Sequence, residues 1–479
     1  MNPGNGRIPQ AGGALGLHAE STVRAGIDAA VRAAKERGTV HDHGLKRRWA
    51  LQRQAGRIMN DKVPRTNRDG QEVVHWVYRV AMCHRGMEGN AVSVHRSPDG
   101  QRAEFSSGVQ TCASPWHCPV CAPKIAARQV EQMNLGIHRW LERGGSVYFL
   151  TLTNQHERDG AGQGECKPAL NRLTAALGSV KGKRAWRDVM KLCGSPGSIR
   201  ALETTYGELN GWHHHTHEIL FGARDALVMD RRGGVVRHLS PLFRLARIWA
   251  RELIQRGLAG LKPGDTGAAR FKKLRDLLTY CLDVRPGAYA AEYVAKFGKE
   301  PESERGRWGM ASELAKSHLK AAASDGSYWR RCVHASPWEL LNDALDGDLS
   351  SEDLWREFAL AFHGRAKLYW SPGLKALLDI PDISEIEFAR APDARCTVPV
   401  CDIGPIQWRL VIAHDARFEV LRAAALDGRA GVEAFLAKLE GLPARYSGDF
   451  TVRDRAAYPP GYTTFKTPDG ATHRYWEQR

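Results

Sequence analysis

Gly211-Trp212-His213-His214-His215-Thr216-His217-Glu218-Ile219-Leu220 is the stretch on which the fold and the chemistry of this chain turn. On a strand, alternate side chains share a face, so His213, His215 and His217 point to one side together. The segments Ser198–Thr205 and His213–Phe221 flank a turn containing Gly207 and Asn210-Gly211, which is a hairpin signal. Imidazoles converging on one face make a divalent-metal site, because neutral His is the commonest such ligand. A third, harder ligand is expected to be a carboxylate. Glu203 on the partner strand is within reach, and Glu208 is the fallback. The plain alternative is a chance cluster of surface histidines.

Outward from the hairpin, Ser146–Thr153 is β-branched and aromatic and reads as a short buried strand. Lys124–Leu141 is helical by periodicity and stops at Gly144-Gly145, and further helices are expected over Pro168–Leu192, Leu239–Arg256 and Ala268–Asp283. Pro286-Gly287 introduces one more over Ala288–Phe297, closed by Gly298. On that last helix Tyr289, Tyr293 and Phe297 share a face, and Lys296 lies beside Tyr293. This is either an aromatic core stripe or a tyrosine nucleophile beside a cation that lowers its pKa or holds a phosphate. Strands and helices mix without strict alternation, so the fold class is α+β.

Cys83, Cys112, Cys118 and Cys121 form a cluster in which the last three read Cys112-Ala-Ser-Pro-Trp-His-Cys118-Pro-Val-Cys121. Structural Zn²⁺ takes four tetrahedral thiolates, and two ligands two residues apart on a tight knuckle supply half of them. Cys83 closes the site from a preceding loop, with His84 and His117 as spare candidates. A redox-active pair is the rival reading. A deaminase site is disfavoured, since it needs His-x-Glu before Pro-Cys-x-x-Cys. Cys166, Cys193, Cys281, Cys332, Cys396 and Cys401 show no metal spacing and read as buried small hydrophobes.

The 479 residues imply more than one compact unit, and 43% hydrophobic with 25% charged residues describes a globular protein. No apolar run approaches the roughly 18 to 20 residues of a membrane helix, and the first residues lack a signal-peptide core, so a cytoplasmic location and no membrane partner are expected. The net charge of +16 favours a polyanionic partner. Met1–Gly70 holds 13 basic and 6 acidic residues, whereas Pro381–Arg479 holds 13 and 14. If nucleic acid is the partner, the N-terminal arm and the middle of the chain bind it.

The order of the cysteine set, Phe149-Leu-Thr-Leu-Thr153, Gly211-Trp-His-His-His-Thr-His217 and Tyr293-Val-Ala-Lys-Phe297 resembles the rolling-circle replication initiators of plasmids, members of the HUH endonucleases. Gly306-Arg307-Trp308 and Gly364-Arg365-Ala-Lys-Leu-Tyr-Trp370-Ser-Pro-Gly-Leu374 look like that family too, so the resemblance runs from Cys83 to Ile380. It implies a central antiparallel sheet flanked by helices, catalytic Mg²⁺ or Mn²⁺ on His215 and His217, and a nucleophile at Tyr293. Glu203 and His213 complete the candidate metal set, Lys296 the catalytic pair, and Zn²⁺ on Cys83, Cys112, Cys118 and Cys121 is structural. Thr216 stands where a hydrophobe is usual, and Phe297 stands where many members carry a tyrosine. Tyr289 therefore stays open as nucleophile, and Tyr289 or Glu292 as the group that releases the strand.

The chain then divides into a basic, mobile arm (1–70), a zinc-binding subdomain (71–130), a nicking and strand-transfer domain (131–380) and an accessory region of unassigned role (381–479). The expected partners are plasmid origin DNA, single-stranded or as a hairpin, and by resemblance a host helicase and DNA polymerase. A rolling-circle transposase and a non-catalytic, zinc-dependent DNA-binding regulator are the alternatives.

Overall fold

The structure is a computed structural model that describes residues 40–66, 72–76, 78–154, 166–207, 211–227, 231–232, 235–236, 240–285, 335–440, 462–466 and 472–476. Its strands, in chain order, begin with β1 (Lys62–Thr66), β2 (Glu72–Trp76), β3 (Val92–Arg96) and β4 (Ala103–Ser107). Then come β5 (Ser146–Thr153), β6 (Gly197–Gly207), β7 (Gly211–Gly222), β10 (Leu282–Arg285), β11 (Leu368–Trp370) and β12 (Val398–Ile403), with the short pair β8 (Arg231–Arg232) and β9 (Val235–Val236) between β7 and β10. The expected α+β class holds, with antiparallel sheets flanked by helices.

The central sheet has the order β10-β5-β7-β6-β11, every pair antiparallel. The histidine strand β7 is its middle member, and Gly211 opens it at φ +73, a conformation open to glycine at little cost. Burial of Thr216 with Leu152 and Leu202 opposite it shows that the β-branched residue keeps the strand regular.

Alternation divides most apolar side chains of the sheet between two cores, while Leu202 and Trp212 join a third that holds the cysteine cluster. On the histidine face, Ile219 and Phe221 join Val147, Phe149, Ile199 and Ala201 beneath the Cys121–Glu142 helix and the Leu374–Ile380 segment. On the other face, Tyr148, Leu150, Leu152 and Leu220 pack against the helices Cys166–Lys181, Arg184–Cys193 and Pro241–Gln255. Trp249 from the last of these is fully buried and donates Nε1–H to the Thr153 carbonyl at 3.0 Å, fixing the end of β5 that lies beside His215. Ser240 caps that helix by accepting from the Phe243 N–H, and Pro241 occupies its first turn.

A second sheet, in the order β12-β3-β4, shares its core with the cysteine cluster. A helix over Val40–Ile58, within the stretch expected to be a mobile arm, packs there, whereas residues 1–39 lie outside the described residues. Trp49, Ala55, Ile58 and Met59 are buried in the same core as Cys83, and Gln52 donates to the Val80 carbonyl at 3.0 Å. The abundance of Arg and Lys hid the apolar face of this helix, which shows only once its partner is in place. The stretch read as accessory likewise contributes Ile403, Trp408, Val411, Val420 and Leu421 to that core.

The Cys121–Glu142 helix starts three residues before its expected beginning, so Cys121 sits in its first turn, where Pro123 is tolerated. Cys166, Cys193, Cys281 and Cys396 are buried and Cys401 is half-buried, as small hydrophobes should be. No helix among the described residues is long and apolar enough to cross a membrane. Tyr289, Glu292, Tyr293, Lys296 and Phe297 lie outside the described residues, as do Glu208, Cys332 and Gly306-Arg307-Trp308.

Candidate active site

The register of the central sheet assembles the site. Glu203 on β6 stands directly opposite His215 on β7, and Ala201 stands opposite His217. The small Ala201 leaves room for one carboxylate to serve both rings. Glu203 Oε2 is 3.1 Å from His215 Nε2 and 3.0 Å from His217 Nε2. Burial pushes the Glu203 carboxyl up, but the two imidazoles beside it outweigh this and hold it well below the usual carboxylate range, so it is a carboxylate. The three ligand atoms lie within 4.8 Å of one another.

An ion with bonds of about 2.1 Å at right angles places neighbouring donors about 3.0 Å apart, the spacing found between Glu203 Oε2 and each imidazole. On the far side of its ring, His217 Nδ1 is 3.0 Å from Thr151 Oγ1, and Phe149 stacks on the ring with centroids 5.1 Å apart. With a cation bound in place of the Nε2 proton, Nδ1–H would donate to the hydroxyl and leave Nε2 to the metal, the usual way a neighbour orients a metal-binding imidazole. Thr151 was not singled out from the sequence. Its signal was available, because it alternates with Phe149 and Thr153 on the strand that faces β7.

His213 shares the face, 5.1 Å from His215 between ring centroids, but its Nε2 lies 2.9 Å from Thr153 Oγ1 and it stands outside the three-ligand group. His214 points away from the metal face, beside Trp212 and Phe362, and donates Nε2–H to the Cys166 carbonyl at 3.1 Å. A second residue that the sequence did not flag is Lys367, just before β11. Burial lowers its ammonium to about 7, against the upward pull of Glu385 and Glu203.

The four cysteines are brought together as expected. Cys83 Sγ is 3.4 Å from Cys121 Sγ and 3.5 Å from Cys118 Sγ, and Cys112 Sγ is 3.8 Å from Cys121 Sγ. A tetrahedron of about 2.3 Å Zn–S bonds sets its sulfurs about 3.8 Å apart. Backbone N–H groups of Cys112, Ser114 and Cys121 donate to the Cys83, Cys112 and Cys118 sulfurs, each at 3.4 Å, which favours thiolate. Burial pushes the Cys83 and Cys112 thiols up, whereas hydrogen bonds from its three partners hold Cys121 down. A divalent cation is what lets all four ionise together.

His84 and His117 stay outside this group. Burial lowers His117 to about 4, and its Nε2–H donates to the Ala359 carbonyl at 2.9 Å. Purified protein is therefore expected to carry about one tightly held zinc per chain. Cys118→Ser combined with Cys121→Ser should lose the metal and melt about 10 °C or more below wild type. Metal analysis with calorimetry checks this, and a zinc-free double variant melting with wild type would remove the assignment.

No known family description and no solved structure matches the chain. It is 27% identical over 383 residues to Protein rep of Streptomyces lividans, covering 68% of this chain and 77% of that protein. It is 32% identical over 143 residues to the Neomycin resistance protein of Streptomyces cyanogenus, covering 26% of this chain and 33% of that one. Over most of its length the chain is thus related to a Rep protein, the kind of protein its ordered motifs resemble.

Proposed function

We propose that this protein starts plasmid replication by nicking one strand at the plasmid origin. The Rep relative supports a role in plasmid replication. The observation that carries the chemistry is the single buried carboxylate, Glu203, shared by His215 and His217 on the middle strand of an antiparallel sheet. A DNA-binding regulator would have no use for that arrangement.

Glu203, His215 and His217 would hold Mg²⁺ or Mn²⁺, which supplies charge neutralisation for a phosphodiester whose transition state concentrates negative charge. Thr151 and Phe149 keep the His217 ring aimed. Tyr293 lies eight residues past Arg285, the end of β10, in sequence. Arg285 is paired with Phe149, which stacks on His217. Eight residues extend at most about 28 Å, so chain length allows the Tyr293 hydroxyl to reach the metal face.

The Tyr293 oxygen attacks the phosphorus, the P–O3′ bond breaks, and the 3′ oxygen leaves and takes up a proton. A 5′-phosphotyrosine and a free 3′-OH result, with Lys296 as the cation beside the nucleophile. The covalent link conserves the bond energy for rejoining. The 3′-OH primes synthesis by a host polymerase as a host helicase opens the duplex, in the cytoplasm. The scissile phosphate must reach the sheet face, so the substrate is single-stranded locally, as in an extruded hairpin.

The test is nicking of supercoiled plasmid carrying the cognate origin, with and without Mg²⁺ or Mn²⁺. Open circles with protein on the 5′ end are expected only with metal. Metal-independent nicking, or none on the cognate origin, would overturn the proposal.

A further inference from the structure

A zinc ion on four thiolates carries a net charge of −2, and burying that charge is costly unless an opposite charge is buried with it. All four cysteines of the cluster are buried, with Cys83 and Cys118 at 0% exposure. Arg79, which donates to the Thr111 carbonyl beside Cys112 at 2.9 Å, is exposed, and the buried cation comes from far along the chain. Arg417, 1% exposed, is the first residue of the helical segment Arg417–Glu440, which kinks at Gly428.

Its guanidinium donates to the His84 carbonyl, next to Cys83, at 3.3 Å and to Gln52 Oε1 at 2.9 Å. It also donates to Asp415 Oδ1 at 3.0 Å and lies 4.6 Å from the centre of the Trp49 ring. Arg53 pairs with the same Asp415, so two arginines share that one carboxylate. Arg417 Nε is buried and finds no hydrogen-bond partner among the described residues. Burial lowers the guanidinium to about 10, while the Cys83 and Cys118 sulfurs pull it upward, so it stays charged at neutral pH. An arginine buried at this depth with one shared carboxylate is poorly compensated by the protein alone.

We infer that Arg417 is the counter-charge of the zinc–thiolate centre, placed by the C-terminal helix, so that tight zinc retention requires the region beyond residue 380 to be docked. Arg417 is a positioning residue: it touches the backbone that carries a ligand, and it acts on the metal through charge. The same guanidinium joins the Val40–Ile58 helix, through Gln52 and Trp49, to the cysteine loop. The centre is therefore assembled from three separate stretches of sequence. This inference does not depend on the DNA chemistry proposed above.

The test is zinc release from the full-length protein to a coloured chelator. Arg417→Met keeps the bulk and removes the charge, and should release zinc about 10- to 100-fold faster, the usual range for an outer partner of a metal site. Arg417→Lys keeps the charge and should restore most of the retention. Val432→Ala removes buried apolar volume from the same C-terminal helical segment, past its kink at Gly428, without touching the charge, and should lower the melting temperature while zinc release stays near wild type.

Release at the wild-type rate from Arg417→Met would overturn the inference. So would release from Val432→Ala as fast as from Arg417→Met, because the effect would then be general loosening. Should Arg417→Met yield no folded protein, Arg417→Lys decides. Slow release supports the charge role, and fast release from a normally melting Lys variant overturns it.

Discussion

Tyr293→Phe is expected to eliminate the covalent protein–DNA link and nicking together, because it removes the attacking oxygen and nothing else. Binding of a single-stranded origin oligonucleotide should stay within about 2-fold of wild type, since the ring and its stacking surface remain. Denaturing gels with a 3′-labelled oligonucleotide check this. Wild type and Tyr289→Phe should give a protein-linked band, and Tyr293→Phe none, whatever metal is supplied. A band that persists in Tyr293→Phe but vanishes in Tyr289→Phe would move the nucleophile one turn back. Persistence in both would dismiss a tyrosine of this segment altogether.

The second large effect is expected at the metal. Glu203→Gln keeps the shape of the side chain but removes the charge that binds Oε2 to His215 and His217. Nicking should fall by at least about 10²- to 10³-fold, the scale on which a charge-stabilising contact is lost at a phosphoryl centre. His217→Ala should fall as far, and excess Mn²⁺ should recover part of its activity, because a softer ion tolerates a missing imidazole better than Mg²⁺ does. No ion should recover Tyr293→Phe, and that contrast separates loss of metal from loss of nucleophile. His213→Ala should lie close to wild type, because its Nε2 is engaged with Thr153 Oγ1. Equal losses at all three histidines would instead place His213 in the ligand set. Thr151→Val tests the orientation of the ring. It should weaken Mn²⁺ binding by about 10-fold or more while leaving the sheet intact.

Much of this centre was legible along the chain, since a strand turns its side chains out with a period of two. The alternation of His213, His215 and His217 is local information, as is the Asn210-Gly211 turn signal between their strand and the one carrying Glu203. The knuckle at Cys118 and Cys121 is local in the same sense. The strand pairing of the hairpin and the boundaries of β5 came out as those short-range rules require, and Cys83, 29 residues before Cys112, joins the knuckle as the residue types imply.

Sequence by itself determined the strand, the hairpin, the metal-binding residue types and the likeness to replication initiators, because backbone periodicity and ligand spacing act over a few residues. Only the tertiary structure decided the rest. Register, a property of two strands at once, brought Glu203 to His215 and His217 and left His213 aside. Burial, a property of the whole core, packed the Val40–Ile58 helix where charge suggested a free arm. Burial also set Arg417 against the loop of Cys83, more than three hundred residues away in sequence. No local rule links such positions. They meet because apolar faces must be covered and buried charges must find an opposite, and both conditions are met only by the folded chain.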